Sequence, residues 1–250
     1  MSDAHLSILS IEPTGELSAP ASVLDTSLQR LRQAITSGVL KPGQKLIETE
    51  LCRALGISRP TLREALRSLE SERLVELVPN RGPFVTKLGR REIEDIHDVW
   101  AMLMGEAGAR FTTLATPADI TELQEALDRL RAAIVKADVA RQIAAVDGFF
   151  KHILSRCDNS MLAEMVDALV SRILFLRAHA LQQKGWGLLC AEEIEDVLSG
   201  VRAKCPAQVR QTIRKHINSA CQAARQSALT SKDAPVAREF SPALSLPEAI

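Results

Sequence analysis

Two short amphipathic patterns separated by a single turn constrain this chain more than any other feature. Ile47, Leu51, Ala54 and Leu55 recur at helical spacing and stop at Gly56. Leu62, Ala65, Leu66 and Leu69 form a second stripe, introduced by Ser58, a good N-cap, with Pro60 tolerated in the first turn. Upstream, Leu24, Leu28, Leu31 and Ile35 mark a helix that closes at Gly38, and Pro42-Gly43 makes a turn. Downstream the period changes. Leu74–Val78, then Pro79-Asn80-Arg81-Gly82-Pro83, then Phe84-Val85-Thr86 read as strand, turn and strand. Helix, turn, helix and hairpin in this order predict a winged helix-turn-helix.

With Leu62, Ala65, Leu66 and Leu69 facing inward, Arg59, Arg63 and Arg67 line the opposite side at four-residue intervals. Arg59 and Arg63 sit in the first turns, where a recognition helix presents side chains to the major groove. A guanidinium fork can bond guanine O6 and N7 together, or clamp a phosphate. Thr61 can add a polar contact, and the helix's amino-terminal N–H groups favour an anion. Asn80, Arg81 and Gly82 would bring a cation and a close-approaching backbone to the same groove. The plainer reading of the second helix alone is a solvated charged face, and the flanking turn and hairpin signals argue against it. Charge agrees: residues 21–88 carry eleven Lys and Arg against seven Asp and Glu, while the whole chain is neutral.

The stretch from Leu31 to Val85 closely resembles the DNA-binding domain of GntR-family bacterial regulators. It carries GVLKPGQKL, GISRPTLREAL and PNRGPFV in the family's order and spacing. The resemblance implies DNA contacts from Arg59, Thr61 and Arg63 and from the wing around Gly82; Ser58, Arg67, Asn80 and Arg81 stand beside them as candidates from the local pattern. At Thr49 one branch of the family has a DNA-contacting Arg that this chain lacks, which leaves Arg53 as a possible substitute.

Beyond residue 91 the pattern is almost entirely helical: one helix carries Ile93, Ile96, Trp100, Leu103 and Ala107, another begins after Thr116-Pro117, and others run near 140–156, 160–180, 188–203 and 206–227. Leu162, Met165, Val166, Leu169, Ile173 and Leu176 supply the apolar stripe of a single bundle helix over 160–180. This region resembles the FCD-type ligand-binding domain of the FadR subfamily, on helix pattern, on NSML after Asp158 and on the final RKHIN. The resemblance implies a homodimer holding a small carboxylate effector. Many members bind a divalent metal through one Asp and three His. Aligned on Asn159 and His216, those positions hold Val146, Phe150, Ile194 and His216, so three of four are apolar. Asp147 and His152 lie five apart and point to different sides of a helix; a one-residue slip in the alignment brings Asp147 to the Asp position without restoring the pair. No cofactor is therefore expected, the family's metal site being lost. The pocket centre is expected to be apolar and to take a hydrophobic or aromatic effector, one still able to bear an acid group. The family's Arg and Glu on the first helix are replaced near Ala101 and Gly105, leaving Arg110, Arg172, Arg177 and His216 as polar partners. Trp100, Phe149 and Phe150 are expected to pack rather than bind. His179 has no ligand-spaced partner.

The expected architecture is thus mostly α: an arm over 1–20, the winged domain over 21–88, a linker over 89–91, an all-helical effector-binding and dimerisation domain over 92–227, and a mobile tail over 228–250. The five cysteines are scattered and never form a C-x-x-C pair, which points to reduced thiols in the cytoplasm. Neither a membrane span nor a signal peptide is legible. The expected partners are a palindromic double-stranded operator, a small effector and a second copy of the chain. An enzyme with a DNA-binding head is a rival reading. It finds no H-E-x-x-H, P-loop, G-x-S-x-G or paired-carboxylate site. A constitutive DNA-binding protein with a collapsed pocket is the other.

Overall fold

A computed structural model describes residues 22–181 and 183–230; the expected arm over 1–20 and the tail beyond 230 lie outside them. Among the described residues there are ten helices and one two-stranded antiparallel sheet. The amino-terminal part holds α1 (Val23–Thr36), α2 (Glu48–Leu55), α3 (Arg59–Ser71), β1 (Val75–Val78) and β2 (Gly82–Val85). The body holds α4 (Arg90–Leu114), α5 (Pro117–Val135), α6 (Val139–Ser155), α7 (Ser160–Asp167), α8 (Val170–Leu181), α9 (Trp186–Arg202) and α10 (Pro206–Thr230).

Local chemistry sets the boundaries of the first helices. Ser22 and Asp25 form a reciprocal capping box at the start of α1. The C-cap of α2 is Gly56, at φ 67°, a left-handed conformation that costs glycine nothing and any other residue some strain. Leu31, Ile35, Leu46, Leu51, Leu62, Leu66 and Leu69 then close a small core under the two crossing helices. The strands pair Val75 with Val85 and Val78 with Gly82. The GVLKPGQKL segment braces this hairpin from its outer edge. Gly43 N–H donates to Val85 C=O (2.8 Å), Val85 N–H to Gln44 C=O (2.9 Å) and Leu46 N–H to Pro83 C=O (2.8 Å).

In the body, α4 packs along α10, α5 against α6, and α9 against both α5 and α10. Thr116 and Asp119 cap α5 reciprocally, with Pro117 as its first residue. Burial works against the Asp119 carboxylate, yet the Thr116 hydroxyl and N–H, His152 and Arg156 hold it down to about 2. Among the described residues no helix is long and apolar enough to cross a membrane.

Three boundaries differ from the sequence expectation. The segment over 89–91 is not a linker: Gly89 is the N-cap and α4 begins at Arg90. Leu88 is buried beside the helix start, so the junction is short and anchored in the core. The helix expected over 160–180 is two, α7 capped by Asn159 and α8 starting at Val170. Met165 consequently points to solvent while Leu162 and Val166 face inward. The last helix runs on to Thr230, because no Gly or Pro interrupts residues 218–230.

Candidate nucleic-acid interface and buried polar centre

The exposed side of α3 carries the chemistry. Leu62, Ala65, Leu66 and Leu69 are buried, whereas Arg59, Arg63 and Arg67 are exposed. The Ser58 side chain accepts the Thr61 N–H (3.3 Å), and its hydroxyl lies 2.8 Å from the Thr61 hydroxyl. That leaves the first turn of α3 fixed and its arginines projecting from it. The Thr61 hydroxyl is already engaged with Ser58 in the cap, so only its remaining hydrogen-bonding capacity is open to another contact. Arg63 Nε donates to Glu48 at 3.3 Å, which holds the guanidinium on the α2 side and leaves its terminal edge outward. Arg53 is exposed in the last turn of α2, one turn beyond the exposed Thr49.

The wing tip is a tight turn in which Arg81 N–H donates to Val78 C=O (3.0 Å), with Asn80 at φ 61° and Gly82 at φ 90°. No atom lies within 4 Å of where a Gly82 Cβ would stand, so the glycine serves conformation and open approach, not packing. The Arg81 guanidinium lies 5.4 Å from the Phe84 ring centroid, a cation–π contact that orders a side chain otherwise exposed. Recognition helix and wing thus present four arginines from a rigid, capped frame.

The centre of the body is less apolar than the sequence implied. Val146, Phe150, Ile194 and His216 are all buried, as are Trp100 and Phe149. Phe150 stacks on His216 (centroids 5.4 Å apart, planes at 19°), and Trp186 stacks on the same imidazole at 6.0 Å and 19°. At the imidazole edge, Glu193 is 4% exposed and meets His216 Nδ1 at 3.0 Å and the Ser219 hydroxyl at 2.8 Å. Arg177, 7% exposed, donates to Asp147 at 3.1 Å, and its guanidinium lies over Trp100 (5.5 Å) and Phe150 (5.9 Å). Burial pushes the neighbouring Cys190 thiol up to about 12. The expectation of an apolar centre is therefore corrected: it holds the Arg177–Asp147 ion pair and the His216–Glu193 hydrogen bond among aromatic rings.

Arg110 and Arg172 do not join this cluster. Arg110 donates to the carbonyls of Cys157 and Asp158, tying the end of α6 to α4. Arg172 lies at the other end of α8, in the field of Arg73 and Glu92. Asp147 and His152 do face different partners, Arg177 and Asp119. Glu193 was not singled out from the sequence. Its one signal was its place beside Ile194, one residue from the position expected for a ligand.

Residues 26–85 match the bacterial regulatory proteins of the gntR family, and residues 95–219 match the FCD domain. The chain belongs to the GntR family. An HTH-type transcriptional regulator of Agrobacterium vitis is 28% identical over 147 residues, covering 58% of this chain and 86% of that protein. McbR of Escherichia coli, another HTH-type transcriptional regulator, is 34% identical over 144 residues, covering 57% of this chain and 65% of McbR. The solved structure of E. coli McbR/YncC superposes with a TM-score of 0.72 at 26% identity, over 82% of this chain and 98% of that one. The domains and the relatives are those of transcriptional regulators, not of enzymes.

The resemblance to metal-binding members of this GntR branch can be tested on the donors present. Of the four positions only His216 carries a metal donor, and its Nδ1 is engaged by Glu193. Among the described residues no group of three or more His, Cys, Asp or Glu side chains is placed to hold a metal. The donor set does not fit the family's ion.

Proposed function

We propose that this GntR regulator is a metal-free, ligand-responsive cytoplasmic repressor that binds a palindromic operator as a homodimer. The observation that carries the reading is the solvent-facing row Arg59, Arg63 and Arg67 on a helix capped by Ser58, with the braced wing beside it. Phosphate contacts from such a row supply affinity, and a bidentate pair with guanine discriminates by about 1–3 kcal/mol. What supports a second copy is the set of exposed apolar side chains on two packed helices, Val99 and Met102 on α4 and Met161 and Met165 on α7.

The effector is a small organic acid, aromatic or otherwise apolar in its body. Arg177 supplies the buried cation, and Trp100 and Phe150 supply apolar walls. Asp147, whose side chain is 34% exposed, occupies the guanidinium edge that an incoming carboxylate would share. Release from DNA then follows from different affinities of the acid for two arrangements of the domains. A second reading has one observation in its favour. The stacking of Phe150 and Trp186 on His216 fills the centre, as it would in a constitutive binder.

Two experiments test these claims. A duplex enriched from a random library by the wild-type chain is expected to lose its shifted band with Arg63→Ala; unchanged binding sinks the recognition-helix assignment. In a thermal-shift screen of small organic acids, at least one should raise the melting temperature in a concentration-dependent way, and Arg177→Gln should abolish that rise. A screen with no such acid favours the constitutive reading.

A further inference from the structure

The α3 helix does not end freely in the amino-terminal part. Its C-cap residue, Glu72, accepts from Arg32 Nε (2.8 Å) and Nη2 (2.6 Å) on α1, and from the Ser171 hydroxyl (2.7 Å) in the first turn of α8. The Arg32 and Glu72 side chains are only 26% and 24% exposed, so the bonds are sheltered from solvent. Around this node α1 packs against α8, and Arg172 lies beside Arg73 and Glu92. Six residues further along the same helix, a rise of about 9 Å, stands Arg177 with Asp147, Trp100 and Phe150.

We infer that the Ser171–Glu72 hydrogen bond is the contact through which the helical body holds the DNA-reading helix, with Glu72 as a positioning residue. The inference rests on reading α3 as the DNA-contacting helix and Arg177 as part of the effector site. A single rigid helix touches both. A shift of α8 that follows a new partner at Arg177 moves the hydroxyl at Ser171, and Glu72 transmits the movement to the end of α3. Coupling of this kind is reciprocal, so DNA bound at α3 must alter α8. That reciprocity allows a test with DNA alone.

Hydrogen exchange is followed by mass spectrometry on the full chain, with and without a duplex enriched from a random library. In the wild type, the duplex is expected to change exchange in α3 and also in residues 170–177. In Ser171→Ala bound to the same duplex, the α3 change remains and the response of 170–177 falls on the order of fivefold. Ser171→Thr keeps the hydroxyl and restores the response, which a merely structural role for the position does not predict. An unchanged α8 response in Ser171→Ala, or none in a wild type that binds the duplex, overturns the inference. A wild type that enriches no duplex overturns the DNA-binding reading, and the inference with it.

Discussion

At the scale of single residues, burial without compensation gives the clearest solution behaviour. His179 packs edge-on against Phe175 (4.6 Å), and its Nε2 is buried with no hydrogen-bond partner among the described residues. Burial pushes its pKa down to about 4, and it also lowers that of His97, whose Nδ1 lies 2.7 Å from the Ile93 carbonyl. The unfolded chain takes up a proton near the ordinary histidine value of about 6.5, whereas the folded chain resists it to lower pH. Stability is therefore fully present above that value and is lost as pH falls from it towards 4. Thermal melts across this range should show the decline, and His179→Leu should flatten it; an unaltered slope in that variant contradicts the assignment. Much of the exposed arginine face was legible at this scale, because Gly56, Ser58 and the apolar stripe that turns Arg59, Arg63 and Arg67 outward follow from spacings within four residues. Glu72 and Glu193 were not, since their partners Ser171 and His216 stand 99 and 23 residues away in sequence.

Among the elements, the pairing of α4 with α10 depends on close approach. A Cβ on Gly108 would run into the side chains of Ile213 and Val209, both fully buried. Gly108→Ala should cost about 1–3 kcal/mol by overpacking, measured as a lowered denaturation midpoint with an unchanged dependence on denaturant. An equally stable variant indicates that the two helices slide apart freely. Caps were readable in advance wherever a short polar side chain preceded the apolar stripe, as at Ser58 and Thr116. The division of the 160–180 stripe into α7 and α8 was not. No Gly or Pro stands at Ala168-Leu169, and the break is set by α7 packing on α4 while α8 turns to α6 and α10. The arginine at the start of α4 likewise gave a linker-like composition to what is already helix.

For the whole molecule, the account requires a second copy and no resident metal. Met102→Glu combined with Met161→Glu places charge among these exposed apolar side chains and should convert the proposed dimer to a monomer in analytical ultracentrifugation. A variant that stays dimeric moves the interface elsewhere. Elemental analysis after mild purification should find no stoichiometric zinc, nickel or manganese, because Val146, Phe150 and Ile194 offer no donor; one ion per chain contradicts this. The two-domain plan was open to reading because hydrophobic period and turn residues change sharply near residues 74 and 92. The polar centre was hidden, because Arg177 and Asp147 meet only once α8 lies on α6.

The central claim is that Arg59, Arg63 and Arg67 on α3 read DNA in the major groove. Selection from a random duplex library, run in parallel with wild type and Arg63→Ala, tests it most directly. The account predicts that the wild type enriches a two-fold symmetric site with half-sites about one helical turn apart or a multiple of it, while Arg63→Ala enriches none. Enrichment of the same site by both proteins, or of no site by the wild type, would contradict it.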